Sequence, residues 1–241
     1  MKTHLTFGAF LGVVLALVGP LAGEGRGDFV LQGDEQMTVD TSHSEGGLYD
    51  QSRARIVSGG SVTFALSAYH SSAVDISGSG YVKALHALNC SAVSISGGSV
   101  DGLVATDTST VAISGGSVTY TLHAYNSSAV DISGGAVGDL LAADTSAVDI
   151  SGGSLGVLRA ADTSAVTFHG QDFLLGSGLS LDGNRVLGTG LLSGDWFDGT
   201  PWAVNITLND SGATILAMPE PATLGLLALG GAALLARRKK N

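Results

Sequence analysis

Cysteine occurs once, at Cys90, so no intramolecular disulfide can staple this 241-residue chain and stability has to come from stacking and hydrogen bonds. Cations are scarce as well: 11 Lys and Arg stand against 21 Asp and Glu, a formal net charge of −10. A surface of that sign repels phosphate backbones, which argues against nucleic acid as a partner. Tryptophan appears only at positions 196 and 202. Long helix-forming stretches are missing from the middle of the chain, where a Gly-Gly pair punctuates most copies of a short motif and β-branched residues dominate between.

That motif is a repeat. Aligned on Ser-Ala-Val-x-Ile-Ser-Gly-Gly, copies begin at Ser72, Ser91, Ser109, Ser128, Ser146 and Ser164, with a degenerate one near Arg53. Successive starts are therefore eighteen or nineteen positions apart. The extra position falls between the second Val and the Leu, three residues from Val118 to Leu122 against two from Val137 to Leu140, so one loop length varies while the rest keeps register. Short apolar alternations between Gly-Gly and Asp-Thr-Ser corners read as strands and turns. A unit this short cannot bury its apolar side alone, so the pattern predicts an all-β fold, a parallel β-helix whose rungs stack about 4.8 Å apart. Its interior is expected to hold columns of Val (74, 93, 111, 130, 148, 166), Ile (76, 95, 113, 132, 150) and Leu (66, 85, 103, 122, 140, 158), with Ala beside Leu. Parallel crossovers favour a right-handed coil. A left-handed coil of three six-residue sides also fits the shorter period, although apolar residues do not recur at six-residue steps.

Both ends carry targeting signals. Met1-Lys2, the apolar stretch Leu5–Val18 and the small residues up to Gly23 read as a secretory signal peptide over 1–23, entering the membrane as a helix. Segment 24–52 is then an N-terminal cap, 53–171 the β-helix repeats and 172–216 a C-terminal β cap built of hairpins around Asp182-Gly183 and Asp198-Gly199. The two tryptophans fall in that last cap and are expected to seal the core rather than to bind sugar. Without the terminal segments the charge is about −14, six basic against twenty acidic side chains.

Segment 217–241 is the most informative. Pro219-Glu220-Pro221 precede a charge-free apolar run, Ala222–Ala236, followed by Arg237, Arg238, Lys239 and Lys240. As a helix the run covers about 22 Å, a short transmembrane segment, and the basic residues behind it act as a stop that stays cytoplasmic. This ending resembles the PEP-CTERM sorting signal of Gram-negative bacteria that make exopolysaccharide. The resemblance implies an exported protein, carried by the secretion machinery and anchored transiently in the inner membrane. A transpeptidase-like membrane enzyme, an exosortase, would then release it to the cell surface or extracellular matrix, where exopolysaccharide is the expected associate. The alternative is a plain anchor, giving a membrane-held adhesin.

The rival class is a polysaccharide-active lyase or hydrolase on the β-helix. Most carboxylates occupy repeat columns: Asp75, Asp131 and Asp149 follow the column Val, and Asp107, Asp144 and Asp162 share a corner with Asn89 and Asn126. Recurrence in every rung is what turn geometry demands, whereas an active site needs a singular constellation. Asp195 and Asp198 lie outside the columns and are the acids to mutate should activity be found. Gly152-Gly153-Ser154-Leu155-Gly156 fits a nucleophile elbow but repeats the ordinary corner. His86 and His123 occupy one column two rungs apart, about 9.6 Å, too far to share a zinc ion. A Gly-Gly/Asp calcium ladder is only weakly matched. The reading is therefore a non-enzymatic protein with no catalytic residue, metal or cofactor assigned.

Overall fold

The computed structural model describes residues 28–208 and 212–218, all of it strand and turn with no helix. The expected signal helix and the apolar segment 222–236 lie outside those residues. The strands are β1 (Phe29–Leu31), β2 (Gln36–Val39), β3 (Ser42–Leu48), β4 (Arg53–Ile56), β5 (Ser61–Ala68), β6 (Ala73–Ile76), β7 (Tyr81–Ala87), β8 (Ala92–Ala105) and β9 (Thr110–Ala124). They continue as β10 (Ala129–Ala142), β11 (Ala147–Ala160), β12 (Ala165–His169), β13 (Gln171–Leu175), β14 (Leu179–Asp182), β15 (Arg185–Asp195), β16 (Pro201–Leu208) and β17 (Thr214–Met218). From β1 to β12 every pairing is parallel, forming a β-solenoid of about seven turns at roughly 19-residue spacing.

Register follows the repeat residue for residue. Val93 pairs with Val111 and Ile95 with Ile113, and Leu103 pairs with Leu122 and Ala105 with Ala124. The predicted Val, Ile and Leu columns are 3% exposed or less, as is the Ala column of 68, 87, 105, 124, 142 and 160. Each fully buried Val, Ile or Leu is worth about 1.5–3 kcal/mol. With a single unit unable to close this core, stability belongs to neighbouring rungs together.

The corners explain the glycines and the Asx residues. In Gly115-Gly116, Gly116 sits at φ 70°, and a Cβ there would lie 2.6 Å from the Gly97 carbonyl carbon and the Gly98 oxygen one rung below. Only glycine supplies both the angle and the close approach. At the opposite corner Asn89, Asp107, Asn126, Asp144 and Asp162 all sit in the left-handed region at φ 55–59°. Asx side chains tolerate that region best among residues with a Cβ. They also tie rungs together: the Asn126 N–H donates to Asp144 Oδ2 at 3.0 Å, and the Asp144 N–H to Asp162 Oδ2 at 3.1 Å.

Loop length varies at two places, not one. The turn that begins at Ser72 takes its extra residue in the glycine corner, with five residues between Ile76 and Val82 where Ile95 and Val100 enclose four. The longer corner forms a separate turn with Gly78 at φ 61° and divides β6 from β7, whereas the shorter one lets β8 run unbroken. The other kind of insertion is a β-bulge: Val100 pairs with Val118 but Gly102 with Thr121, so Thr119 and Tyr120 together oppose Asp101, and Thr63 and Phe64 are their counterparts in β5.

Parallel pairing continues below Arg53, since β2 lies against β4 and β1 against β3. There the Leu column is interrupted by Gly46, whose missing side chain leaves the space into which the Phe29 ring inserts beside Leu66. At the other end the chain leaves the coil after β12, makes an antiparallel excursion through β13, β14 and β15, and returns. β16 then lies on β11 with Ile206 over Leu158, and β17 on β12 with Ile215 over Val166, completing one more turn. β15 pairs antiparallel with both, covering the last parallel edge. Over the core end, the Trp202 ring stacks on Phe168 at 5.0 Å and Trp196 on Trp202 at 4.8 Å.

The corners lend themselves to two tests of stability. Gly116→Ala is expected to cost about 1–2 kcal/mol or more from the left-handed angle alone, measured as a fall in the urea midpoint. The second test concerns the buried serine column. Ser72, Ser91, Ser109, Ser128 and Ser146 have hydroxyls without a hydrogen-bond partner, whereas Ser164 Oγ donates to the Ala161 carbonyl at 2.8 Å. Ser128→Ala should therefore be neutral or stabilising, and Ser164→Ala should cost about 1 kcal/mol, the difference being read in the same denaturation series.

Candidate functional site

The repeated carboxylates are held by the backbone they support. Asp107, Asp144 and Asp162 form the corner ladder, each accepting an N–H from the rung before it. Asp75, Asp131 and Asp149 project outward from the Val-Ile strands, where Arg53 Nε donates to Asp75 Oδ2 at 2.6 Å and His169 Nε2 lies 3.3 Å from Asp149 Oδ1. Between them runs a shallow groove of about 570 Å³ lined by Ala73, Ala92, Thr110 and Ala129. Its lining is largely methyl groups, with the Arg53–Asp75 pair, Asp131 and Asp149 along it.

The singular acids lie at the end of β15 and in the turn that follows it. Asp198 lies in the turn between β15 and β16, where the Thr200 N–H donates to its Oδ1 at 2.8 Å and holds the carboxyl below the usual carboxylate range. Asp195 ends β15 opposite Pro201. Both tryptophans are buried, and Trp196 Nε1 donates to the Gly153 carbonyl at 2.9 Å, so these rings belong to the core end and present no face to a ligand. Ser154 pairs in register with Ala136 inside a continuous strand, which is not the strand-to-helix turn of a nucleophile elbow. His86 and His123 share a column with Val104 between them. Cys90 is exposed in the corner column, its Sγ 3.2 Å from Thr108 Oγ1. Among the described residues no three His, Cys, Asp or Glu side chains gather as a metal-ligand group.

A different surface stands out on the stretch between the glycine corner and the Asx corner. Phe64 is 61% exposed and Tyr120 65%, and between them lies a trough of about 440 Å³ floored by Ala84 and Gly102 and edged by Lys83 and Asp101. Four successive turns of the coil supply it. Neither aromatic was recognisable from the repeat alone as a surface feature, although the insertion that carries Tyr120 was visible as the third residue between Val118 and Leu122. The trough edge is braced: the Tyr81 hydroxyl donates to Asp101 Oδ2 at 2.7 Å. That hydrogen bond, then burial and the Asp101 charge, push the Tyr81 phenol up to about 12.

A raised phenol stabilises the fold at every pH below its ordinary value of about 10 and loses that contribution as pH rises through its folded value. Tyrosinate absorbance is expected to show one phenol ionising last, near pH 12. That phase should vanish in Tyr81→Phe; its persistence would assign it to another tyrosine.

The sequence-predicted sorting residues Pro219, Glu220, Pro221, Arg237, Arg238, Lys239 and Lys240 lie outside the described residues. Strand β17 ends at Met218, directly before them. No curated protein and no solved structure matches the chain. The family of the PEP-CTERM protein-sorting motif matches residues 219–240. This β-solenoid therefore carries a PEP-CTERM motif, which marks it for export and for sorting to the cell surface by an exosortase-type membrane enzyme.

Proposed function

We propose that this is a non-enzymatic component of the cell surface or extracellular matrix of a Gram-negative bacterium, a stiff rod that associates with exopolysaccharide. The observation that carries the reading is the sorting motif at 219–240, joined directly to the last strand of the solenoid. Secretion delivers the chain through its N-terminal signal, the apolar run 222–236 holds it briefly in the inner membrane against the stop Arg237–Lys240, and the exosortase-type enzyme releases the rod. The distribution of acids supports display over catalysis. Corner carboxylates are occupied in bonding neighbouring rungs, and the singular Asp198 is engaged by its own turn. An acidic exterior keeps such rods apart from one another and from anionic polymers.

Intact mass spectrometry of the protein from surface and membrane fractions, with and without the exosortase gene, tests the delivery step. Surface material is expected to end near Pro219–Pro221 only when the enzyme is present. A tail retained through Asn241 in both strains would make the segment a permanent anchor.

A further inference from the structure

The two bulges of the coil do the same thing at two levels. In an ordinary turn two residues link the second core Val to the Leu, as Lys83-Ala84 and Asp101-Gly102 do. Where a third is present in β5 and β9, the bulge carries Phe64 and Tyr120, the most exposed aromatic side chains among the described residues. A bulge leaves a residue out of the ladder and re-aims its side chain, and pairing resumes on either side. These rings stand outside the core, mostly in water, while Val62, Leu66, Val118 and Leu122 around them are fully buried. Apolar surface kept in water at two equivalent sites, with a trough between, marks a binding surface.

We propose that this trough binds an uncharged, equatorially linked hexose chain lying along the coil axis, with one sugar ring stacked on Phe64 and another on Tyr120. The two aromatics stand three rungs apart, about 14 Å at the strand spacing. Pyranose rings in such a chain repeat at about 5 Å, nearly matching the spacing of about 4.8 Å between rungs, so rings one and four reach the two platforms while the middle rings cross Ala84 and Gly102. The apolar C–H face of a pyranose, slightly positive, meets the negative face of each aromatic ring. Lys83, His86, Asp101 and Thr121, all on the trough lining, offer donors and acceptors to the hydroxyls along the chain. Charge selects the class of polymer. Lys83 and Asp101 balance each other within the trough, while six basic side chains against twenty acidic ones over 24–218 repel uronate or phosphate polymers.

The site gives chemical content to the association with exopolysaccharide proposed above and rests on that reading. Affinity electrophoresis of the processed protein through gels containing hydroxyethyl cellulose, a soluble uncharged β-linked glucan, tests it, with anionic alginate as the comparison. Wild type is expected to be retarded by the glucan and not by alginate, and Phe64→Ala/Tyr120→Ala to bind at least tenfold more weakly. Gly102→Leu provides a variant that keeps both rings: a Cβ at Gly102 meets only Thr121 Oγ1, at 3.6 Å, so the fold accepts it while the side chain fills the trough. It should lose binding to the same degree with an unchanged thermal midpoint. A wild type that passes both gels alike, or variants that bind as wild type does, would overturn the trough. Co-sedimentation with the host's own matrix separates the two readings. Wild type and double variant sedimenting equally would remove the trough and leave matrix association standing, whereas wild type left in the supernatant would remove both.

Discussion

Parallel backbone pairing between consecutive turns is the constraint from which the rest of this structure derives. Successive turns sit a fixed strand spacing apart, so every position must fit directly above and below its own equivalent. A residue is chosen not for one site but for a column. This is why the glycine corner repeats where the backbone of one turn approaches within 3 Å of a Cβ on the next. It is also why the opposite corner keeps Asn or Asp at one left-handed angle from Asn89 to Asp162, with Asp107, Asp144 and Asp162 each taking an N–H from the turn before. The buried serines are the same principle at a less favourable site: the column has room for a small side chain, and five of its hydroxyls find no partner.

A stack built this way has a problem only at its ends, where the pairing has nothing further to pair with. The two ends are closed by different devices. At the base a large ring, Phe29, enters the space vacated by Gly46, so the first turn carries its own plug. At the top the coil is interrupted after β12, and the excursion supplies an antiparallel strand that pairs with both strands of the final turn. Trp196 and Trp202 then cover the end of the apolar columns through Phe168. Reversal of strand direction ends a template that would otherwise accept another parallel turn.

Because the inside is held so tightly, insertions within the repeat fall in the two loops that tolerate an extra residue. Insertions there cost little, since flanking positions keep their partners across the bulge. One loop uses its insertion to sharpen a turn and the other to display an aromatic ring. A rod with a repeating interior and a small number of placed surface features suits a protein whose tail directs it to the cell surface.

The repeat alone was enough to determine the fold class, the core columns and their register, because a column residue repeats its chemistry at every turn and so short a period leaves no other way to bury Val, Ile and Leu. The sorting motif was legible for a similar reason, being a contiguous string of distinctive residues read by an enzyme rather than assembled by folding. Tertiary structure decided what is not periodic. Which strands close the top, and that β16 and β17 complete a turn begun before a long detour, depends on pairings between segments far apart in sequence. That Phe64 and Tyr120 face one trough was hidden likewise: three copies of the repeat separate them along the chain, and only the coil brings them onto one side.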